Sequence, residues 1–220
     1  AVFGNIGKGF FLPSSFDKFQ NPQLEPVDLI SYEVGLRFNP TPVLRGSVAV
    51  YRIDTKDDVT RDGPGGPLVN QGDVRRQGVD AELTFNITDD LMFVGSASYI
   101  DAEFQNYVTG GADLSGNVPP YFYSAGLDYF NTARSVGARL TLNGKGEVWM
   151  DNANSFRYGS YSYADAQLYY IDGPYTYDLK FSNITDARYA EYVFSGTAPG
   201  SQRYGPSRPF NVMATFKAEF

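Results

Sequence analysis

Roughly ten segments of the chain alternate apolar and polar residues with a period of two, the mark of strands with one apolar and one polar face. The last is the clearest. Phe210, Val212, Ala214, Phe216, Ala218 and Phe220 fall on one face, and Asn211, Met213, Thr215, Lys217 and Glu219 on the other. The same order runs through Ile30–Phe38, Val79–Phe85, Tyr123–Tyr129, Val136–Leu142, Ala164–Tyr170 and Tyr177–Phe181. Segments 1–10, 43–54 and 91–104 alternate more weakly, and no segment sustains a 3.6-residue period. The fold class this predicts is all-β, an antiparallel up-and-down sheet.

Two kinds of connection alternate strictly along the chain. Short ones at Asn39–Pro42, Ile87–Asp90, Asn131–Arg134 and Asp172–Pro174 carry turn residues. Long ones at 11–28, 56–73, 105–120, 148–158 and 184–206 are rich in Gly, Asn, Asp, Ser and Pro. All short turns therefore fall at one end of the sheet and all long loops at the other. Outer-membrane β-barrels have that asymmetry, with short periplasmic turns and long extracellular loops. The pattern predicts a transmembrane barrel wall with extracellular long loops and a periplasmic C-terminus. A soluble sandwich or lipocalin-like barrel, with the apolar face as core, is the alternative. Two features favour the membrane. The polar face carries opposite charges, such as Glu33 with Arg37 and Asp178 with Lys180, as a wet lumen allows. Tyr and Phe gather near strand ends, as at Phe38, Tyr123 and Tyr129, where lipid interfaces would lie.

Composition narrows the choice. Tyr and Phe number 17 each in 220 residues, a share that suits strands and aromatic girdles. No run approaches the ~18 apolar residues a membrane helix needs. Residues Ala1–Asn5 show no signal peptide, so for an exported protein that segment is removed or lies upstream. There is no Cys and no His, which removes thiolate and imidazole metal sites and a Ser-His-Asp triad. The net charge of −7 argues against nucleic acid. No catalytic residue, cofactor or metal site is predicted, and the chain is not expected to be an enzyme. Asp54, Asp57 and Asp58 match no EF-hand spacing and read as a solvated acidic loop. Gly4–Gly9 lacks the Ser/Thr of a phosphate loop.

Five stretches, in order, resemble the TonB-dependent outer-membrane receptor family. Gly9–Ser14 resembles its G-F-x-x-P-S run. Asn21–Pro26 followed by Ser31–Arg37 is similar to N-P-x-L-x-P-E … S-Y-E-x-G-x-R, with Val27 in place of Glu. Asn70–Gly72 and Gly78–Glu82 resemble N-x-G … G-V-E-x-E, with Asp80 for Glu. Asn183–Tyr189 matches N-[LIV]-T-D-x-x-Y. Tyr204–Arg208 resembles the Y-G-x-P-R of siderophore receptors, with Pro and Ser displaced.

The resemblance implies that residues 1–220 are about the last ten strands of a 22-stranded barrel in the Gram-negative outer membrane. It also implies a plug domain and a TonB box, which this sequence does not contain, so that the chain is a fragment of a longer polypeptide or one piece of a split one. Implied partners are outer-membrane lipid, the TonB complex acting through the plug, the upstream part of the barrel, and the barrel-assembly machinery, for which Phe220 is the candidate signal. Phe220 also reads as a lipid-facing girdle residue. The implied function is uptake of a scarce small molecule, most plausibly a ferric siderophore. A self-contained porin, structural barrel or protease is the alternative. Loop aromatics that can stack on a flat ligand, and arginines that can pair with anionic oxygens, give the candidate contacts. They are Tyr107, Tyr121, Phe122, Trp149, Phe156, Arg157, Tyr158, Phe194, Arg203 and Tyr204. Loop packing or an interfacial belt is the plainer role for any one of them. Gly35, Gly78, Gly126 and Gly137 fall on the polar face, where they permit close approach of a plug or relieve strand curvature.

Overall fold

The computed structural model describes residues 1–61, 67–70, 72–105, 118–150, 154, 156–194 and 202–219. In chain order the elements are β1 (Val2–Phe11), α1 (Ser15–Gln20), β2 (Val27–Thr41), β3 (Leu44–Lys56), β4 (Val59–Arg61), β5 (Leu68–Asn70), β6 (Val74–Asn86) and β7 (Leu91–Phe104). Then follow β8 (Tyr121–Asn131), β9 (Val136–Lys145), β10 (Val148–Trp149), β11 (Arg157–Tyr158), β12 (Tyr161–Asp172), β13 (Tyr175–Ser182), β14 (Ala190–Phe194), β15 (Arg203–Pro206) and β16 (Asn211–Ala218). Ten of these strands pair in one antiparallel sheet, in the order β1-β2-β3-β6-β7-β8-β9-β12-β13-β16. The other six form three hairpins, β4-β5, β10-β11 and β14-β15, inside the long loops.

Register carries the alternation across the whole sheet. Phe93, Leu127, Leu140, Ala166, Phe181 and Val212 stand opposite one another on one face. Asp128, Arg139, Gln167 and Lys180 do the same on the other. The apolar face is uncovered: Leu140 is 47%, Leu168 50%, Val212 50% and Phe216 59% exposed. A continuous apolar surface of this extent is unstable against water.

Two expected charge pairs do not form. Residues four apart on a strand lie about 13 Å apart, too far for Glu33 to reach Arg37. The Arg37 guanidinium instead sits 4.7 Å over the Phe3 ring. Asp178 accepts a hydrogen bond from Gln167 across the β12-β13 ladder rather than pairing with Lys180. An ion pair that does form on this face joins Asp128 and Arg139, which are opposite in register.

Three of the four polar-face glycines lie under a cross-strand aromatic ring. Gly35, Gly78 and Gly137 stand directly opposite Phe3, Tyr51 and Tyr169. At each, an added Cβ would overlap that partner's ring. The aromatic lies flat over the bare backbone of its cross-strand glycine and fills the missing side chain's space. Gly126 has no such lid, and a Cβ there would meet nothing closer than 3.7 Å.

Two local features depart from the sequence pattern. Strand β2 runs on through Pro40 to Thr41, so its turn falls two residues later than the Asn-Pro-Thr-Pro run suggests. The ladder is irregular between Phe38 and Thr41, which is where a strand tolerates proline. The first long loop contains the helix α1. Ser14 caps it by accepting from the Asp17 backbone N–H at 3.1 Å, while the Asp17 carboxylate accepts from Ser14 N at 3.0 Å.

Candidate functional site

Fully buried side chains gather at the long-loop end. Val148, Met150, Ala190 and Val193 form a small core between the fourth and fifth long loops, with Phe156 and Tyr158 packed on it. Leu24, Val27 and Val74, each at most 1% exposed, lie at the same end of β2 and β6. The first and second long loops are clipped together by two asparagines. Asn21 Nδ2 donates to Leu68 O at 2.8 Å. Asn70 Oδ1 accepts from Glu25 N at 2.7 Å, and its Nδ2 donates to Glu25 O and Asp57 O at 3.1 and 2.9 Å. The N-P-x-L-x-P and N-x-G stretches are thus two halves of one fastening.

Asn183–Tyr189 is a mount for a tyrosine. Asn183, 3% exposed, adopts φ +52°, a left-handed conformation asparagine tolerates. Its amide nitrogen donates to Ala187 O and Arg208 O at 2.9 and 3.0 Å. Its carbonyl oxygen accepts from Ala187 N and Thr185 Oγ1 at 2.9 and 3.1 Å. Every polar atom of the side chain is thereby satisfied and the two sides of the fifth loop are joined. Tyr189 exchanges backbone and side-chain bonds with Ser207. Its ring then lies 3.9 Å from that of Tyr161, nearly parallel, and 5.3 Å from that of Tyr163.

Tyr161 and Tyr163 stand on the polar face at the top of β12. Across the ladder Tyr161 faces Lys145, which in turn faces Phe122. The Lys145 ammonium sits 5.1 Å from the Tyr161 ring centre. Four aromatics and one cation therefore make a platform where the polar face meets the loops. Burial pushes the Tyr189 hydroxyl above its ordinary range, with Tyr163, Tyr161 and Glu191 adding to the effect. The phenol is neutral at physiological pH, so it offers a π-face and a hydrogen bond rather than a phenolate ligand for a metal.

A second aromatic–cation group lies on the loop hairpins. Trp149 and Arg157 pair across β10-β11, with the guanidinium 3.9 Å over the indole and 3.4 Å from Glu147. Tyr158 takes a hydrogen bond from Ala190 N on its hydroxyl and lies 6.2 Å from Tyr204 of β15. Tyr204 and Arg203 are exposed.

The ten loop candidates thus divide. Phe122 belongs to the platform, and Trp149, Arg157, Arg203 and Tyr204 to the hairpins. Phe156 and Tyr158 pack in the loop core, which makes them supports. Tyr121 is corrected: it stands opposite Tyr99 on the apolar face and is a wall residue. Tyr107, the Phe194 side chain and Phe220 lie outside the described residues. Lys145, Tyr161, Tyr163 and Tyr189 are additional to the sequence candidates. Two tyrosines spaced i, i+2 on the polar face of a strand, followed by a motif ending in tyrosine, were the available signal. The acidic trio is separated by arginines: Asp54 pairs with Arg52 and Arg75 at 2.8 and 2.9 Å, and Asp58 with Arg76 at 3.5 Å.

The family model for the TonB-dependent receptor-like β-barrel matches residues 1–210. The chain is 26% identical over 194 residues to the ferrioxamine receptor of Yersinia enterocolitica, covering 83% of this chain and 27% of that protein. It is 32% identical over 146 residues to the ferrichrome outer membrane transporter/phage receptor of Escherichia coli K12, covering 63% and 19%. Its fold superposes on the ferric yersiniabactin uptake receptor FyuA of Yersinia pestis with a TM-score of 0.80 at 20% identity, over all of this chain and 35% of that one. The chain therefore spans about a third or less of these proteins' length. The ten-stranded sheet is a section of barrel wall whose uncovered apolar face meets hydrocarbon, and the chain belongs to the TonB-dependent receptor family.

Proposed function

We propose that the chain is the C-terminal wall of a TonB-dependent receptor that takes a ferric siderophore from outside the cell into the periplasm. The long loops face outward and the short turns face the periplasm. Strands β1 and β16, whose outer edges are open in the sheet, pair with the rest of the barrel, because an open edge in lipid strands its N–H and C=O groups. A plug within the completed barrel answers to TonB, and Phe220 guides assembly. No covalent chemistry is needed. The observation that carries the reading is the platform of Tyr161, Tyr163, Tyr189, Phe122 and Lys145 at the mouth of the polar face. Flat ring faces and a cation suit an organic chelate with anionic oxygens. The siderophore receptors among its relatives support the same ligand class.

Two experiments on the full-length receptor test this. Tyr189→Ala and Tyr161→Ala should each weaken ferric-siderophore binding roughly tenfold or more, about 1.4 kcal/mol, with the heat-modifiable mobility of the barrel unchanged. Binding unchanged in both variants would remove the platform from the ligand path. For orientation, single cysteines are placed at Gly159, where added side-chain atoms meet nothing within 4 Å, and at the short-turn residue Thr132. A membrane-impermeant maleimide on intact cells should label Gly159→Cys and spare Thr132→Cys.

A further inference from the structure

The chain's excess negative charge lies in its connections. Outside the long loops and short turns the acidic and basic residues balance, eleven of each. The five long loops hold eleven Asp and Glu against six Lys and Arg, a net charge of −5 out of the chain's −7. Three of the six loop cations already face partners. Lys18 donates to Pro22 O and Leu24 O. Lys56 stands opposite Asp28 in the β2-β3 ladder. Arg157 lies against Glu147 and the Trp149 ring. Arg188 and Arg203 are exposed, but they share the fifth loop with Asp186 and Glu191, and the charge of that loop is zero.

The tyrosine platform borders this acidic layer. Its one cation, Lys145, lies against the Tyr161 ring. Glu191 is exposed and close enough to act electrostatically on the Tyr189 hydroxyl. One positive and one negative group thus flank the stacked rings, so the platform has no surplus of positive charge. The ring faces themselves carry partial negative charge and attract cations. A mouth of one sign also acts at a distance, drawing in ligands of the opposite sign and repelling those of its own.

We propose, resting on the ferric-siderophore reading above, that the chelate taken is neutral or cationic, of the ferric tris-hydroxamate class. Iron(III) held by three singly charged hydroxamates is electrically neutral, and a pendant ammonium makes the chelate a cation. Iron(III) held by three doubly charged catecholates keeps a triple negative charge. The neutral chelate needs no ring of cations. Its iron-bound oxygens take a hydrogen bond from Lys145, and its organic backbone lies on the ring faces of Tyr189 and Tyr163. A pendant ammonium finds Glu191 beside a ring face. The triply charged chelate would have to cross an acidic layer and then lose its water beside a single ammonium, a cost that one partner does not offset. Glu191 is therefore the specificity-determining residue for charge.

The test uses full-length receptor in detergent micelles and calorimetric titration with ferric chelates built on one linear trihydroxamate core. The terminal amine of that core is left free, acetylated or succinylated, so that the charge runs from positive through zero to negative around the same iron centre. At low salt the succinylated chelate should bind at least fivefold more weakly than the free amine, with the acetylated form between them, and a ferric tris-catecholate should displace none of them. The spread should shrink in molar salt, which screens the mouth. Glu191→Gln should narrow the spread at least twofold, and Glu191→Asp should keep it. Equal affinities across the three charge forms, tighter binding of the anionic chelates, or an unchanged spread in Glu191→Gln overturns the proposal. Tight binding in the reverse charge order removes this assignment and leaves the siderophore reading standing, whereas no binding of any chelate, the tris-catecholate included, removes both.

Discussion

The wall and the loop layer above it place their apolar side chains in different surroundings. Wall residues such as Leu140 and Val212 are about half exposed and have no protein in front of them. Loop-end residues such as Leu24 and Val148 are 1% and 2% exposed. Of the buried apolar side chains among the described residues, only Ala164 lies within the body of the wall. The wall therefore derives its stability from ladder hydrogen bonds and from lipid, whereas each loop cluster is held by a small core of its own and by buried amides. Damage to one region should leave the other standing, and that independence can be tested from both sides.

The largest effect is expected in the loop layer. Leu24→Ala removes a fully buried side chain and should cost about 2–5 kcal/mol locally. Hydrogen exchange at the loop end of β2 should accelerate, while the wall amides keep their protection and the barrel its resistance to detergent. Loss of wall protection in this variant would mean that the loop cores and the wall form one cooperative unit.

The converse substitution lies in the wall. Leu140→Arg puts a charge on the lipid side near mid-height and should destabilise insertion into vesicles by about 2–4 kcal/mol. Thr141→Arg, one residue on, points to the polar face and should be near neutral. Equal costs at the two positions would contradict the assignment of the faces. This pair also marks what was legible in the sequence. Because a strand alternates strictly, Leu140 and Thr141 could be assigned to opposite faces, and with them the whole sheet and the sorting of its turns. The loops were not legible in the same way. Tyr189 is held against Tyr161 by bonds that span the fifth loop, from Asn183 to Arg208, 25 residues away, and between Tyr189 and Ser207, and no local period encodes such contacts. Tyr121 was counted among the loop aromatics, yet it already belongs to the ladder and stands on the apolar face. Glu33 and Arg37 looked paired in a linear reading, but a strand holds them apart.

The smallest effect separates two glycines on the polar face of the wall. Gly137 lies under the Tyr169 ring, which is stacked on Phe130 at 5.8 Å, so a methyl group there must displace a packed aromatic. Gly137→Ala should cost about 1–3 kcal/mol, the usual range for overpacking. Adding Tyr169→Ala should recover much of that loss, because the two side chains compete for one volume. Gly126→Ala meets only ordinary contacts at 3.7 Å and should change stability by less than about 1 kcal/mol, in the stabilising direction, since alanine restricts the unfolded chain. Vesicle-based urea titration of the three variants against the parent distinguishes the cases. If Gly126→Ala proves as costly as Gly137→Ala, the expense lies in strand curvature that only glycine permits, and the ring-over-glycine account of this face fails. If the double variant recovers stability and Gly126→Ala is neutral, these polar-face glycines are seats for aromatic rings, and a plug need not approach them for their presence to be explained.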